Sequence, residues 1–483
     1  MNPRERTVIV LVTVALLATL GLGSAAAYAL THPTSTTVPV QNGGGAIAAT
    51  GATPGAGDAA TAAPSGTAGP TSNGGSGSNA STTTTSGGGS SSSGGGGVNN
   101  STNFIHNGLI TVGGIFDETG ALDATVERDT VRAYFDEINA AGGVNGQKLQ
   151  LIDCDSQFNP SVAHQCSQKL LAQGVLAIVG WTSVSGEQNE AKYLYTQTSS
   201  CPQCGVPIFG GLGVDAEFQS PLSFPVTPPL GSAGYAGGKH LCDVGYKQAA
   251  VVYLNAPSFA SANVGILKGL NTCGQNPQGN DDVPVDIGSQ QDYGSVVTPW
   301  VTDGTKSVLA GLDPFSMARL YQAMEREQFT PGKSLIGSGL DKTSAEGAYG
   351  SYFQGALSGT SVLEVVGHES NPAVADYLNT VKTHYPSQVS ALDVYCVQQW
   401  IAAHVFVAAL KNIKGTVTRS ALVSAAQNLQ NFDTGGLTKP LSYGKGGLNN
   451  PNHWVEWMHN KDGTASGWVT DTDWVDIPYN PFG

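Results

Sequence analysis

The pair Cys201-Pro-Gln-Cys204 is the clearest place where residue types and spacing could do chemistry. Two thiols three residues apart suit redox exchange or half of a zinc site. A second pair or nearby histidines would be needed for zinc, and neither is present. The pair also sits in a loop, away from the helix start that would activate a thiol. Asp471, Asp473 and Asp476 resemble a calcium loop only faintly, lacking its glycine and twelve-residue spacing. H-E-x-x-H, G-x-S-x-G, a P-loop and a G-x-G-x-x-G after a strand are all missing. These residues therefore predict no catalytic centre, no metal and no cofactor. The chemistry expected is recognition.

Strands and helices must position any such site. Residues 110–116 form a short apolar run, read as a strand. Val131, Tyr134, Phe135 and Ile138 then fall on one helical face, and Gly142-Gly143 ends the helix. Further strands are expected at 148–152, 175–179 and 206–209. Asn159-Pro160 caps one intervening helix, and Ser185 with Gln188 reads as a capping box opening the next. Residues 225–230 break the rhythm. It resumes with strands at 249–254, 283–287, 307–312 and 334–337 and helices between some of them. Helices at about 372–384, 391–411 and 418–430 and a strand at 453–459 close the chain. Alternation of this kind predicts parallel sheets covered on both faces, in two α/β lobes. Ligands sit beyond the carboxyl ends of strands in doubly wound sheets. Residues 116–120, 181–185, 210–213, 255–259, 312–315 and 338–341 stand there.

The segment 110–146, ITVGGIFDETGALDATVERDTVRAYFDEINAAGGVNG, resembles the opening of type I periplasmic solute-binding proteins. These form the leucine/isoleucine/valine-binding family of ABC transporters. The signature INAAGGVNG at 138–146 is its most specific piece. KLQLIDCDSQFNPSVAHQCSQKLL and VLAIVGWTSVSG support it, and a weaker likeness runs to about Trp474. The resemblance implies two lobes joined by a three-stranded hinge and closing on a small molecule. Lobe one would comprise 107–228 and 355–438, and lobe two 229–354 and 439–476.

Carried over position by position, the family's ligand loops fall on Trp181, Ser183, Ser185, Gly211 and Gly213 in lobe one. In lobe two they fall on Phe259, Asp313 and Asp341. Ser183 and Ser185, at a helix N-terminus, would receive a ligand carboxylate. Asp313 or Asp341 would take an ammonium, and Trp181 and Phe259 would pack an apolar body. Each has a plainer reading beside this one. Ser185, Asp313 and Asp341 suit helix caps, Trp181 and Phe259 suit core, and the glycines suit a tight turn. Branched-amino-acid binders bring a tyrosine and a glutamate to the ammonium. Leu312-Asp313 and Leu340-Asp341 stand near that position here, so an amino acid, an amide or a urea-like solute each remains open.

The N-terminal part reads differently. Arg4 and Arg6 precede an uncharged apolar run at 7–30, long enough for a bilayer, which takes ~20 residues. It is expected to be either a signal peptide cleaved near Ala29 or a retained transmembrane anchor. Residues 31–106 form a Gly/Ser/Thr-rich stalk expected to be disordered. A chain of ~70 such residues reaches roughly 45 Å. The solute-binding unit then spans 107–483.

Arg4, Glu5, Arg6 and Asp58 cancel, so the whole net charge of −14 falls on that unit. Such acidity argues against nucleic acid as a partner. Outside the membrane, disulfides are expected. Cys154 ends a strand and Cys166 follows on a helix; Cys242 and Cys273 bracket a strand-helix unit; Cys201 and Cys204 close a small loop. Cys396 is left over as a buried thiol. The expected partners are a small-molecule solute, ABC permease subunits and, if the N-terminal segment is uncleaved, the membrane. A tethered sensory or cell-surface module is the competing reading.

Overall fold

The computed structural model describes residues 102–287, 292–336, 354–444 and 450–482. Two sheets organise them. In the first, β1 (Ile105–His106) pairs antiparallel with β2 (Leu109–Phe116), and β2 is flanked by β3 (Lys148–Asp155) and β4 (Ile178–Thr182). β5 (Ile208–Phe209) and β6 (Ser223–Phe224) continue it, with all of β2 to β6 parallel. In the second, β7 (Ala249–Leu254) lies between β8 (Asp282–Val285) and β9 (Ser307–Gly311). β10 (Gly332–Ile336) and β11 (Leu357–Thr360) extend it in parallel. β12 (Trp454–Asn460), β13 (Trp468–Thr470) and β14 (Val475–Asp476) finish it in the antiparallel sense. In each sheet the strand order reverses beside the first long strand, β2 or β7. A crevice opens at such a switch point.

The sequence signature has a local physical cause. The first helix, α1 (Thr125–Ala140), buries Val126, Val131 and Phe135 against the sheet. Asn139 near its end pairs with Leu149 of β3 like a strand residue: its amide donates to Leu149 O and its carbonyl accepts from Leu149 N, both at 2.8 Å. Gly143 takes a positive φ, and a Cβ there would lie 2.1 Å from Gln147 O. Asn145 and Gly146 both adopt positive φ in the two-residue turn bridged by Val144 and Gln147.

Helices α2 (Pro160–Ala172) and α3 (Glu187–Tyr195) follow in the first lobe. Asn159 caps α2 as expected, accepting from Ser161 N and Val162 N. The capping box at Ser185 does not form: α3 starts after Gly186, with no side-chain cap. Gln188 instead accepts from Ala216 N at 3.0 Å. Late in the chain come α8 (Pro372–His384), α9 (Val394–Lys411) and α10 (Arg419–Gln427). They pack back on the first lobe, and α9 is buried on nearly every face. Its Gln399 accepts from Trp181 N and donates to Trp181 O, both at 3.1 Å, tying the end of β4 to a helix more than 200 positions away.

In the second lobe, β7 alternates. Ala250, Val252 and Leu254 face α6 (Gly294–Asp303) and α7 (Pro314–Arg326), while Ala249 and Val251 face α4 (Leu230–Asp243) and α5 (Ala260–Asn271). Helices α4 and α6 and strand β11 were not among the elements expected from periodicity. α4 holds Gly231, Gly234, Gly237 and Gly238, a composition that disfavours helix in isolation. Its glycines are used for packing. A Cβ on Gly234 would lie 2.1 Å from Ala262 O, and one on Gly265 of α5 would lie 2.0 Å from Gly231 O.

The chain crosses between lobes three times: after β6, after β11 and before β12. The expected return to lobe one at 355 comes later, after Thr360, because β11 is hydrogen-bonded between β10 and β12. Similarly, Tyr443 packs in the first lobe's core, so that lobe extends past 438. Asn452, fully buried on the third crossing, donates to Val226 O on the first and Ser361 O on the second, each at 2.8 Å.

Cys154–Cys166, Cys201–Cys204 and Cys242–Cys273 are disulfide-bonded, and Cys396 is a buried cysteine outside these bridges. The apolar run at 7–30 and the stalk up to residue 101 lie outside the described residues. Among the described residues no helix is long and apolar enough to cross a membrane.

Candidate functional site

Both lobes and the crossings meet at one cleft of about 150 Å³. At on the order of 10–15 Å³ for each water-sized occupant, it suits a solute of roughly ten non-hydrogen atoms. Leu122, Glu127, Val184, Leu212 and Tyr395 line it from lobe one. Leu230, Phe259, Ile266, Leu312 and Asp313 line it from lobe two, and Thr227, Glu364 and Trp457 from the crossings and β12. The surface is largely apolar and aromatic. Trp457 is held rigidly: its ring stacks on His240 at 3.7 Å, and Gly359 leaves room for it, since a Cβ there would fall 2.4 Å from the indole.

Five carboxylates line the cleft: Asp123, Glu127, Asp313, Glu364 and Asp393. No Lys, Arg or His does so among the described residues. Asp313 caps α7 by accepting from Ser316 N, and Asp393 caps α9 by accepting from Cys396 N, each at 3.0 Å. Four of the five converge on Tyr395. Burial, followed by the charges of Asp393, Asp313, Glu127 and Glu364, pushes its hydroxyl above the usual tyrosine range.

The lobe-one loops at the strand ends are ordered by further carboxylates that do not line the cleft. Asp117, fully buried after β2, accepts from Ser156 Oγ at 2.6 Å and from Phe158 N and Val184 N at 2.8 Å. Glu187 accepts from Leu212 N at 2.9 Å. Glu217 accepts from Gly213 N at 2.8 Å and Val214 N at 2.9 Å. Both glutamates are buried and crowd the space a Cβ on Gly211 would take. Burial, and then the neighbouring Glu217 charge, raises the Glu187 pKa well above its ordinary value. Burial also raises Glu217, to about 7.

Of the residues expected to bind, Phe259 and Asp313 line the cleft. Trp181 is fully buried in the lobe-one core, and Ser183 is buried beside it in sequence, close to Gly186. Neither these two nor Ser185, Gly211 and Gly213 line the cleft. Gly211 and Gly213 adopt positive φ and make room for Glu187, Glu217, Thr227 and Pro228. Leu340 and Asp341 lie outside the described residues. Glu127, Thr227, Glu364, Tyr395 and Trp457 were missed. They come from helix faces, crossings and a late strand, and no motif marks them.

One trio of metal-ligating types, Glu127, Asp393 and Cys396, brings its donor atoms within 4.8 Å of one another. Asp393 already serves there as a helix cap. The acidic trio near the C-terminus is not gathered: Asp471 pairs with His459 and Asp476 with His453.

The sequence model of a family described as periplasmic binding protein matches residues 109–456. A search of curated protein sequences gives no significant match. Among solved structures, a fatty acid ABC transporter substrate-binding protein from Thermomonospora curvata aligns with a TM-score of 0.65 at 18% identity, covering 78% of this chain and 94% of its own. A leucine binding protein from Thermotoga maritima aligns at 0.62 and 14% identity, covering 76% and 99%. A solute binding protein of an ABC transporter from R. palustris, in complex with benzoate, aligns at 0.61 and 15%, covering 77% and 98%. At these identities the likeness is one of fold.

Proposed function

The chain belongs to the periplasmic binding protein family, and from that premise we propose that it captures a small nitrogenous solute, an amino acid or a related amide, outside the cytoplasmic membrane and delivers it to an ABC importer. The observation that carries this reading is the cleft lined from both lobes and their crossings, with Asn452 joining the three crossing segments. Three segments tied together where they cross between lobes can serve as a hinge, and closure around a solute is a shape a permease can read. Phe259, Tyr395 and Trp457 would pack the solute's apolar body, and Asp313 and Glu364 would face its nitrogen.

A thermal-shift screen of the purified protein against amino acids, amides, ureas, amines and small organic acids tests the proposal. A ligand at 100 times its Kd adds ~2.7 kcal/mol and raises the midpoint by several degrees. The shift should vanish in Phe259→Ala. The long stalk expected at 31–106 favours a second reading, a tethered sensory module. A flat screen across every class would move weight to it, as would capture of a solute whose uptake does not depend on the protein.

A further inference from the structure

We infer that the ligand carries a cationic nitrogen on an apolar body and no carboxylate. The inference rests on the reading of the cleft as a solute site and narrows its chemistry. Three independent features support it. The lining bears five carboxylates and, among the described residues, no basic side chain. A carboxylate placed there meets repulsion from every side, while an ammonium meets attraction and the faces of aromatic side chains. Next, two lobe-one backbone donors at the cleft are already engaged: Asp117 takes Val184 N at 2.8 Å and Glu187 takes Leu212 N at 2.9 Å. The Ser183 side chain, which would have completed such a subsite, is buried away from the cleft.

The third feature is a polar group with no partner among the described residues. Thr227 is only 4% exposed, lines the cleft, and its hydroxyl makes no hydrogen bond among the described residues. A buried hydroxyl of this kind is satisfied by a ligand. It accepts from an N–H or donates to a carbonyl, as an amine or an amide offers. Primary amines and amino amides fit all three features; an amino acid's ammonium fits the first and third, but its carboxylate meets the acidic lining and the engaged donors.

Isothermal titration of the full-length protein with four probes of one shape tests this: leucine, leucinamide, 3-methylbutylamine and 4-methylpentanoate. Leucinamide and 3-methylbutylamine should bind at least tenfold tighter than leucine, and 4-methylpentanoate should not bind. Their affinity should weaken with added salt. Glu364→Gln should cost the two amines about tenfold and improve leucine. Should that variant fold poorly by its thermal midpoint, Asp123→Asn serves instead. Asp123 is exposed and accepts from Thr125 N, a role the asparagine oxygen retains while the charge is lost. Leucine or 4-methylpentanoate binding as tightly as the amines would overturn the inference and leave solute capture standing. Silence from all four probes would also overturn it. Capture itself falls only if neutral amides, ureas and the wider screen are silent too.

Discussion

The two lobes hold their cleft-facing parts in different ways. In lobe one, buried carboxylates organise the loops: Asp117 and Glu187 accept backbone N–H groups from segments far apart in the chain, and Glu217 accepts from the turn just before it. In lobe two, two helices touch backbone to backbone. Gly234 and Gly238 of α4 face Ala262 and Ile266 of α5, and Gly265 and Gly269 face back. The Cys242–Cys273 disulfide then staples the same pair at its far end. Side-chain hydrogen bonds can hold an irregular loop in place, whereas backbone-to-backbone packing of this kind holds regular elements. The loops of lobe one are thus held by polar contacts and the helices of lobe two by close approach.

The staple should give the largest effect. Cys242 and Cys273 are 31 residues apart, and opening that loop in Cys242→Ser/Cys273→Ser should cost ~3–4 kcal/mol by chain entropy. Cys201 and Cys204 are three apart, and their loss should cost about half as much. Equal losses in urea denaturation would remove disulfide bonding from the contrast between lobes.

Gly265→Ala comes next. Alanine favours helix by ~1 kcal/mol, but its Cβ would lie 2.0 Å from Gly231 O, so the helices must part. Overpacking wins by a net ~2 kcal/mol. Val264, half-exposed beside it, should tolerate alanine within ~0.5 kcal/mol. A Gly265→Ala protein as stable as wild type would mean that the close approach is unimportant.

At the seam, Asn452→Leu leaves Val226 O and Ser361 O without their donor and should cost ~1–2 kcal/mol. It should also loosen closure, seen as weaker solute binding with an intact cleft lining. Unchanged affinity alongside lowered stability would make Asn452 a packing residue only.

The last effect is one of pH. The folded pKa of Glu217 is raised to about 7 against an ordinary 4.5, and that of Glu187 is raised well above its ordinary value. An acid whose pKa is raised on folding stabilises most below 4.5, and that stability is lost as pH climbs towards 7. The slope is at most ~1.4 kcal/mol per pH unit for one proton. Glu187→Gln keeps an acceptor for Leu212 N and a donor for Glu217 but removes the titration. Its midpoint should therefore change less than wild type between pH 5 and 7.5; parallel curves would show that the pair does not titrate.

Much of the scaffold was legible beforehand. The period of α1, the Asn159-Pro160 cap and the strands at 148–152 and 249–254 depend on residues within one turn or one pleat. Helix α4 was not legible, because four glycines argue against a helix until α5 lies against it. Trp181 read as a ligand residue since it follows a strand, yet Gln399 of α9 holds its backbone inside the core. Ser185 read as a cap, but the helix begins after Gly186.

By itself the sequence determined the two-lobed α/β plan and its family, since each depends on short-range periodicity or on a contiguous motif. Only the tertiary structure decided which side chains face the cleft. Glu127, Thr227, Glu364, Tyr395 and Trp457 lie on separate elements with no shared pattern, and their convergence is set by sheet order and by the three crossings. Only there, too, did Val184 and Leu212 prove to have their donors engaged by Asp117 and Glu187. A hydrogen bond between distant segments leaves no mark on either one.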